Sequence, residues 1–154
     1  MMSRAFTKEI DERPEEVLPR PVSVHPNCVT SNGLTQIERA LEKYEAAHSA
    51  AISKENKTAI ELTAREIVYW SSRKNTAILM PEISKLDQVK FGTTVTVKRN
   101  DGRVQTFRIV GEDEAEPSAN TISYMSPFAQ AVMGKSVGDR VEIAGEDSEV
   151  LAIG

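Results

Sequence analysis

Cysteine is almost missing from this chain. A single residue, Cys28, excludes an internal disulfide and a cysteine-rich zinc site, and it fits a reducing compartment. Aromatic residues make up only 5% of the sequence, so a core drawn from its 40% hydrophobic content must be mainly aliphatic. No apolar run approaches the roughly 18 residues that span a bilayer. The opening MMSRAFTKEIDERPEE is charged and has no apolar centre, so no secretory signal is expected. Basic excess is lacking too. Lys and Arg number 19 against 23 Asp and Glu, a net charge of −4, which argues against independent binding to duplex DNA. A cytoplasmic protein with no membrane association is the expectation.

Motifs that carry chemistry are equally scarce. There is no glycine-rich phosphate loop. His25 and His48 fall in segments of different character, with no metal-ligand spacing. No serine or cysteine sits beside a suitable base in a nucleophile motif. The acidic run Glu112, Asp113, Glu114 and Glu116 lacks the spaced ligands and internal glycine of an EF-hand loop. It reads as a solvated loop, with a bound divalent cation as the alternative. No cofactor, no metal and no catalytic site of the chain's own is expected.

What is present falls into three segments. Residues 1–28 hold four of the seven prolines (Pro14, Pro19, Pro21, Pro26) and a charge cluster, and read as an extended arm. A solvated tail is the simpler reading, and an arm packed back along the body the alternative. Residues 29–84 read as a helical hairpin. Thr30-Ser31-Asn32-Gly33 is a helix start. Leu34, Ile37, Leu41, Tyr44, His48 and Ala51 then form a coiled-coil seam, with His48 a packing residue in preference to a ligand. A polar break at 53–57 precedes a second helical line of Ile60, Ala64, Ile67 and Ser71. Tyr69 and Trp70 suit an anchor at the hairpin base, and Pro81 ends the helical pattern.

From residue 85 to 154 the period becomes two. Strands are expected over 93–98, 104–110, 121–123, 137–144 and 148–153, with a tight turn at Asn100-Asp101-Gly102. Between them lies ISYMSPFAQAVMGKSVGD (122–139). Ser126 is a good N-cap, Pro127 fits the first helical position, and Gly134 suits a left-handed stop. Phe128, Val132 and Met133 would share the buried face of that short helix. The fold class is α+β: an antiparallel helical coiled-coil hairpin followed by a small, mostly antiparallel sheet with one helix.

Three stretches carry a more specific signal: FGTTVTV (91–97), FRIVGEDEA (107–115) and the 122–139 segment. In order and spacing they resemble the C-terminal domain of the bacterial GreA and GreB transcription elongation factors. The resemblance implies an FKBP-like sheet domain behind a coiled-coil hairpin. It implies RNA polymerase as partner, with the sheet domain on the rim of the secondary channel and the hairpin inserted. Any contact with the nascent RNA 3′ end would occur only inside the polymerase. Carried over by position, the docking residues are Met125, Ser126 and Pro127, with Phe128 adjacent; the competing reading is that they merely cap a helix.

The hairpin tip departs from the family pattern. There the resemblance calls for Asp-Leu-x-Glu-Asn, whose acids help hold a second metal ion in the polymerase active site. Here Glu55-Asn56 matches the end of that pattern and Ile52 stands in place of the aspartate. Each arm is also shorter than in GreA by about 11 residues, roughly 16 Å. Glu55 is the tip candidate, or else only a helix-start charge. The resemblance thus implies a regulator of polymerase with weak or no stimulation of transcript cleavage. Alternatives are a regulator of nucleoside diphosphate kinase type or an inhibitor competing with true Gre factors. A peptidyl-prolyl isomerase is disfavoured by the few aromatics available: Phe91, Phe107, Tyr124 and Phe128.

Overall fold

The computed structural model describes residues 17–154. The first 16 residues of the expected arm lie outside the described residues. Helix α1 (Ser31–Ser53) starts where Thr30 accepts the Gly33 amide on its side chain. Helix α2 (Lys57–Thr76) returns antiparallel to it, N-capped by Asn56 through the Ala59 amide. Every seam position of α1 is shielded: Ile37 and Ala51 are buried, and Leu34, Leu41, Tyr44 and His48 are half-buried. On α2, Ile60, Ala64, Ile67 and Ser71 face them, also half-buried. His48 fills a seam site and pairs through Nδ1 with the Thr63 hydroxyl at 2.8 Å, so its polar edge is satisfied by the opposing helix.

The hairpin ends earlier than Pro81. Strand β1 (Cys28–Val29) pairs in parallel with β2 (Ile78–Leu79), so the backbone leaves the helix after Thr76 to join that ladder. Asn27 closes the helix end by donating its side-chain amide to the Arg73 carbonyl at 2.7 Å. This two-stranded ladder is too short to show as a strand pattern in the sequence.

The sheet domain contains β3 (Thr94–Arg99), β4 (Val104–Val110), β5 (Thr121–Ser123), α3 (Pro127–Val132), β6 (Arg140–Ile143) and β7 (Glu146–Ile153). The five strands run in the order β5-β4-β3-β7-β6, antiparallel except for the parallel β4–β5 pair. Three strands differ from their expected bounds. β3 begins and ends one residue later than expected, because the Thr93 amide and hydroxyl both turn back to the Lys90 carbonyl and the Arg99 amide still pairs with the Arg103 carbonyl. Asp139 caps a turn by accepting the Ser136 amide at 2.8 Å, which delays β6 to Arg140. A tight turn with Ala144 and Gly145 both at positive φ lets β7 begin at Glu146.

One face of the sheet is aliphatic: Val95, Val97, Ile109, Val141, Ile143 and Val150 are buried. Helix α3 lies on that face with Ala129 and Val132 fully buried. Phe128 and Met133 pack at the margin of this core, so Ala129, not Phe128, is the innermost contact of the helix beside Val132. Gly134 ends it at φ +83°, as its position after the last helical turn predicts.

The acidic loop joins the two halves and is not a solvated loop. Arg73 of α2, with a side chain 2% exposed, meets Asp113 at 2.5 Å through Nε. The same guanidinium donates to Asn27 Oδ1 at 2.7 Å and approaches Glu112 at 3.6 Å. Tyr69 donates its hydroxyl to the other oxygen of Asp113. Glu114 accepts from Thr30 Oγ1 at 2.5 Å and from Asn32 Nδ2 at 3.0 Å, so its charge faces the positive end of α1. Gly111 sits so close to the Cys28 carbonyl that a Cβ there would overlap it. The loop is rich in acids because α2 buries a cation and α1 presents its N-terminus there.

The arm is likewise not a free tail between Val17 and Asn27. Arg20 bonds Glu66 at 2.7 Å and lies 3.8 Å above the Tyr69 ring, which in turn meets Trp70 edge to face. Tyr69 and Trp70 do anchor the hairpin base, and the arm is pinned onto them.

Removing one partner of a buried ion pair strands the other charge. Arg73→Ala is therefore expected to destabilise the protein by about 3–5 kcal/mol in urea unfolding. A loss below 1 kcal/mol would mean that the clasp does not hold the fold.

Burial, and then the Asp113 carboxylate, raise the Tyr69 hydroxyl from 10.0 to about 12. A group with a raised folded value stabilises fully below its unfolded value and loses that contribution as pH rises through the folded one. Tyr69→Phe should thus cost most below pH 10, with the cost shrinking between 10 and about 12. Unfolding of both proteins across that range reads the difference, and a constant cost would count against it.

Candidate functional site

The loop from β5 into α3 is held at every turn. Tyr124 extends the ladder by donating its amide to the Val110 carbonyl at 2.9 Å. The Met125 amide bonds the Ser123 hydroxyl at 3.0 Å, and the Ser126 amide the Ser123 carbonyl at 2.9 Å. Ser126 then caps α3, its Oγ accepting from Ala129 at 3.2 Å. Gln130, one turn into the helix, reaches back to the Tyr124 carbonyl at 2.7 Å. Pro127 is left exposed at the first helical position of this braced loop. Of the four expected docking residues, Met125 and Ser126 are half-buried and Pro127 faces solvent. Phe128 is partly committed to the core, edge to face with Phe107 at 5.2 Å.

Glu55 sits at the far end of α1, a helix about 34 Å long at the usual rise that spans 23 residues. The fold therefore separates Glu55 from the docking loop. The tip closes by two bonds: Glu55 N–H to Ile52 at 3.1 Å and Asn56 N–H to Ala51 at 3.0 Å. That pair is a Schellman stop, whose left-handed position normally takes glycine. Here Glu55 occupies it at φ 52°. Asn56 completes the stop of α1 and caps α2. Beside Glu55, Ile52 is exposed, and Lys54 and Lys57 outnumber the one acid. Among the described residues no cluster of His, Cys, Asp or Glu is arranged to hold a metal ion.

Comparison with known proteins bears on the sheet half and its loop. The family model described as "Transcription elongation factor, GreA/GreB, C-term" matches residues 83–153, which include the whole five-stranded sheet and the braced loop. Transcription elongation factor GreA of Vesicomyosocius okutanii is 36% identical over 110 residues, 71% of this chain and 67% of that one. The chain belongs to the GreA/GreB family. Transcription elongation factor GreB of Neisseria meningitidis serogroup B is 38% identical over 95 residues. This match covers 58% of this chain and 58% of the relative, so it leaves a large part of the relative's length unmatched. Among solved structures, GreA factor homolog 1 of Thermus thermophilus aligns at 20% identity and a TM-score of 0.39. The alignment covers 84% of this chain and 99% of that one.

Reading the sequence missed Tyr124 and Gln130 as members of the loop, and Arg73 and Asp113 as the clasp behind it. Gln130 carried a signal. It stands four residues after the N-cap of a helix whose inward positions are apolar, where a polar side chain can turn back on the loop. Arg73 lies one turn after Tyr69 and carried none, because nothing local marks a cation that will be buried.

A left-handed residue with a Cβ stores about 1–3 kcal/mol of strain. Glu55→Gly should therefore stabilise the chain by about 1 kcal/mol, less than the full strain because glycine loses more entropy on folding. Thermal unfolding measures it, and a drop in stability would mean that the Glu55 side chain supports the turn.

Proposed function

We propose that this Gre-family chain binds bacterial RNA polymerase in the cytoplasm as a regulator that is not itself an enzyme. The sheet domain docks on the rim of the secondary channel through Met125, Ser126 and Pro127, and the hairpin enters the channel. The observation that carries this reading is the braced loop within the family-matched region, which presents an exposed Pro127 from a backbone already fixed. A preformed loop loses little conformational entropy on binding.

The tip supports occupancy of the channel over stimulation of cleavage. A divalent metal needs converging oxygen ligands. The tip offers one carboxylate on a strained residue, with Ile52 three positions before it and Lys54 and Lys57 around it. The two lysines repel a cation that the single carboxylate would attract. Such a protein competes with cleavage-stimulating factors for the channel.

Transcript cleavage in a stalled bacterial elongation complex tests both parts. The protein alone should leave the RNA intact, and in excess it should suppress cleavage stimulated by a true GreB. Pro127→Ala should need several-fold more protein for the same suppression, whereas Glu55→Ala should behave as wild type. Shortened RNA with this protein alone, abolished by Glu55→Ala, would restore a cleavage role. Neither cleavage nor suppression would remove the polymerase as partner and favour a kinase-regulator role.

A further inference from the structure

We propose that Tyr124 is a positioning residue that ties the docking loop to the base of the hairpin, so that seating the loop also aims the tip. The inference rests on the docking reading above. Tyr124 belongs to the loop by its backbone, and its side chain reaches the segment before β1 that is bonded to the hairpin base. Its amide continues the sheet ladder at Val110 and its carbonyl is held by Gln130. Its hydroxyl donates to the Pro26 carbonyl, 98 residues away in sequence. The ring rests edge to face on Phe91, centroids 5.6 Å apart, so its direction is set from the sheet side.

The far end of the bond is equally rigid. Pro26 is followed by Asn27, whose side chain bonds both the Arg73 carbonyl at 2.7 Å and the Arg73 guanidinium at 2.7 Å. Asn27 thus holds the last turn of α2, and the Cys28 amide folds back on the Pro26 carbonyl at 3.0 Å. From Pro127 to α2 the path runs through Ser126, Tyr124, Pro26, Asn27 and Arg73, with no flexible side chain in the middle. The acidic loop holds the hairpin at Arg73 and Tyr69 of α2 and at Thr30 and Asn32 at the start of α1, all from one segment of the sheet domain. A tie from a second segment further resists rotation about that loop. Tyr124 supplies it, from within the docking loop itself. Burial, and then the neighbouring Cys28 and Glu112, raise its hydroxyl above the ordinary tyrosine value, so it remains the donor of this bond well above neutral pH.

The test is Tyr124→Phe, which keeps the ring on Phe91 and deletes only the hydroxyl. Residual dipolar couplings of backbone amides, measured on the full chain, report the orientation of hairpin and sheet without polymerase. In the wild type one alignment tensor should fit both halves. In Tyr124→Phe the hairpin couplings should shrink relative to those of the sheet, so that no common tensor fits. Chemical shifts of core residues such as Val97 and Val150 should stay in place. A common tensor with unchanged orientation in Tyr124→Phe overturns the proposal, whatever the change in melting temperature, because a purely stabilising role would not separate the two halves. If the wild type also binds polymerase, Tyr124→Phe should bind nearly as well yet suppress GreB-stimulated cleavage several-fold less. Equal suppression at equal occupancy would overturn the aiming role. If the wild type fails to bind polymerase, the docking reading fails, while the couplings still decide whether Tyr124 fixes the two halves.

Discussion

The Arg73–Asp113 pair is the contact on which the arrangement of the two halves depends. A guanidinium this deeply buried is stable only when its charge and its donors are matched. Asp113 supplies the charge, Asn27 takes a second N–H and Glu112 adds a more distant carboxylate. Asp113 is shared with the Tyr69 hydroxyl, so its second oxygen is not left bare. Each partner comes from a different part of the chain: the arm before β1, the end of α2 and the loop after β4. Breaking any of them leaves the others unsatisfied, which is how a handful of polar groups fixes the relation of a hairpin to a sheet. Glu114 at the start of α1 and Gly111 against Cys28 belong to the same seam.

The family-matched sheet and the tip at Glu55 are therefore separated by the length of the hairpin. The sheet half is the part that the GreA/GreB family model matches, residues 83–153, and it includes all five strands, the one covering helix and the serine-proline turn. The tip has a different character, with two lysines and an exposed isoleucine around the single glutamate. The strain at Glu55 adds to this contrast. A glycine would make the turn more easily, so the turn alone does not account for the glutamate.

Much of the fold was legible because it is written in short periods. The seam of α1 follows its 3-4 spacing from Leu34 to Ala51, and β4 and β5 begin and end where alternation and turn residues place them. The Ser126 cap and the Gly134 stop are local chemistry and read directly. What was not legible is long in range. A two-residue ladder between β1 and β2 has no periodicity, and it alone moves the end of α2 from Pro81 back to Thr76. The acidic loop reads as solvent-facing because the cation it neutralises lies 40 residues earlier in the chain. Likewise, Tyr124 reads as a neutral neighbour of a cap until Pro26 is brought beside it.

Asn56 serves two helices at once, as the last bond of the α1 stop and the first cap of α2. That economy limits how the hairpin can change over generations. A codon gained or lost in one arm alone would rotate the seam of that arm by about 100° against a turn that has no slack to absorb it. The geometry would accommodate an insertion or deletion when both arms change together, in steps that bring the seam back into phase. Hairpin length is thereby restricted to paired steps, whereas an exposed tip position such as Ile52, which takes no side-chain part in the turn, can change by itself.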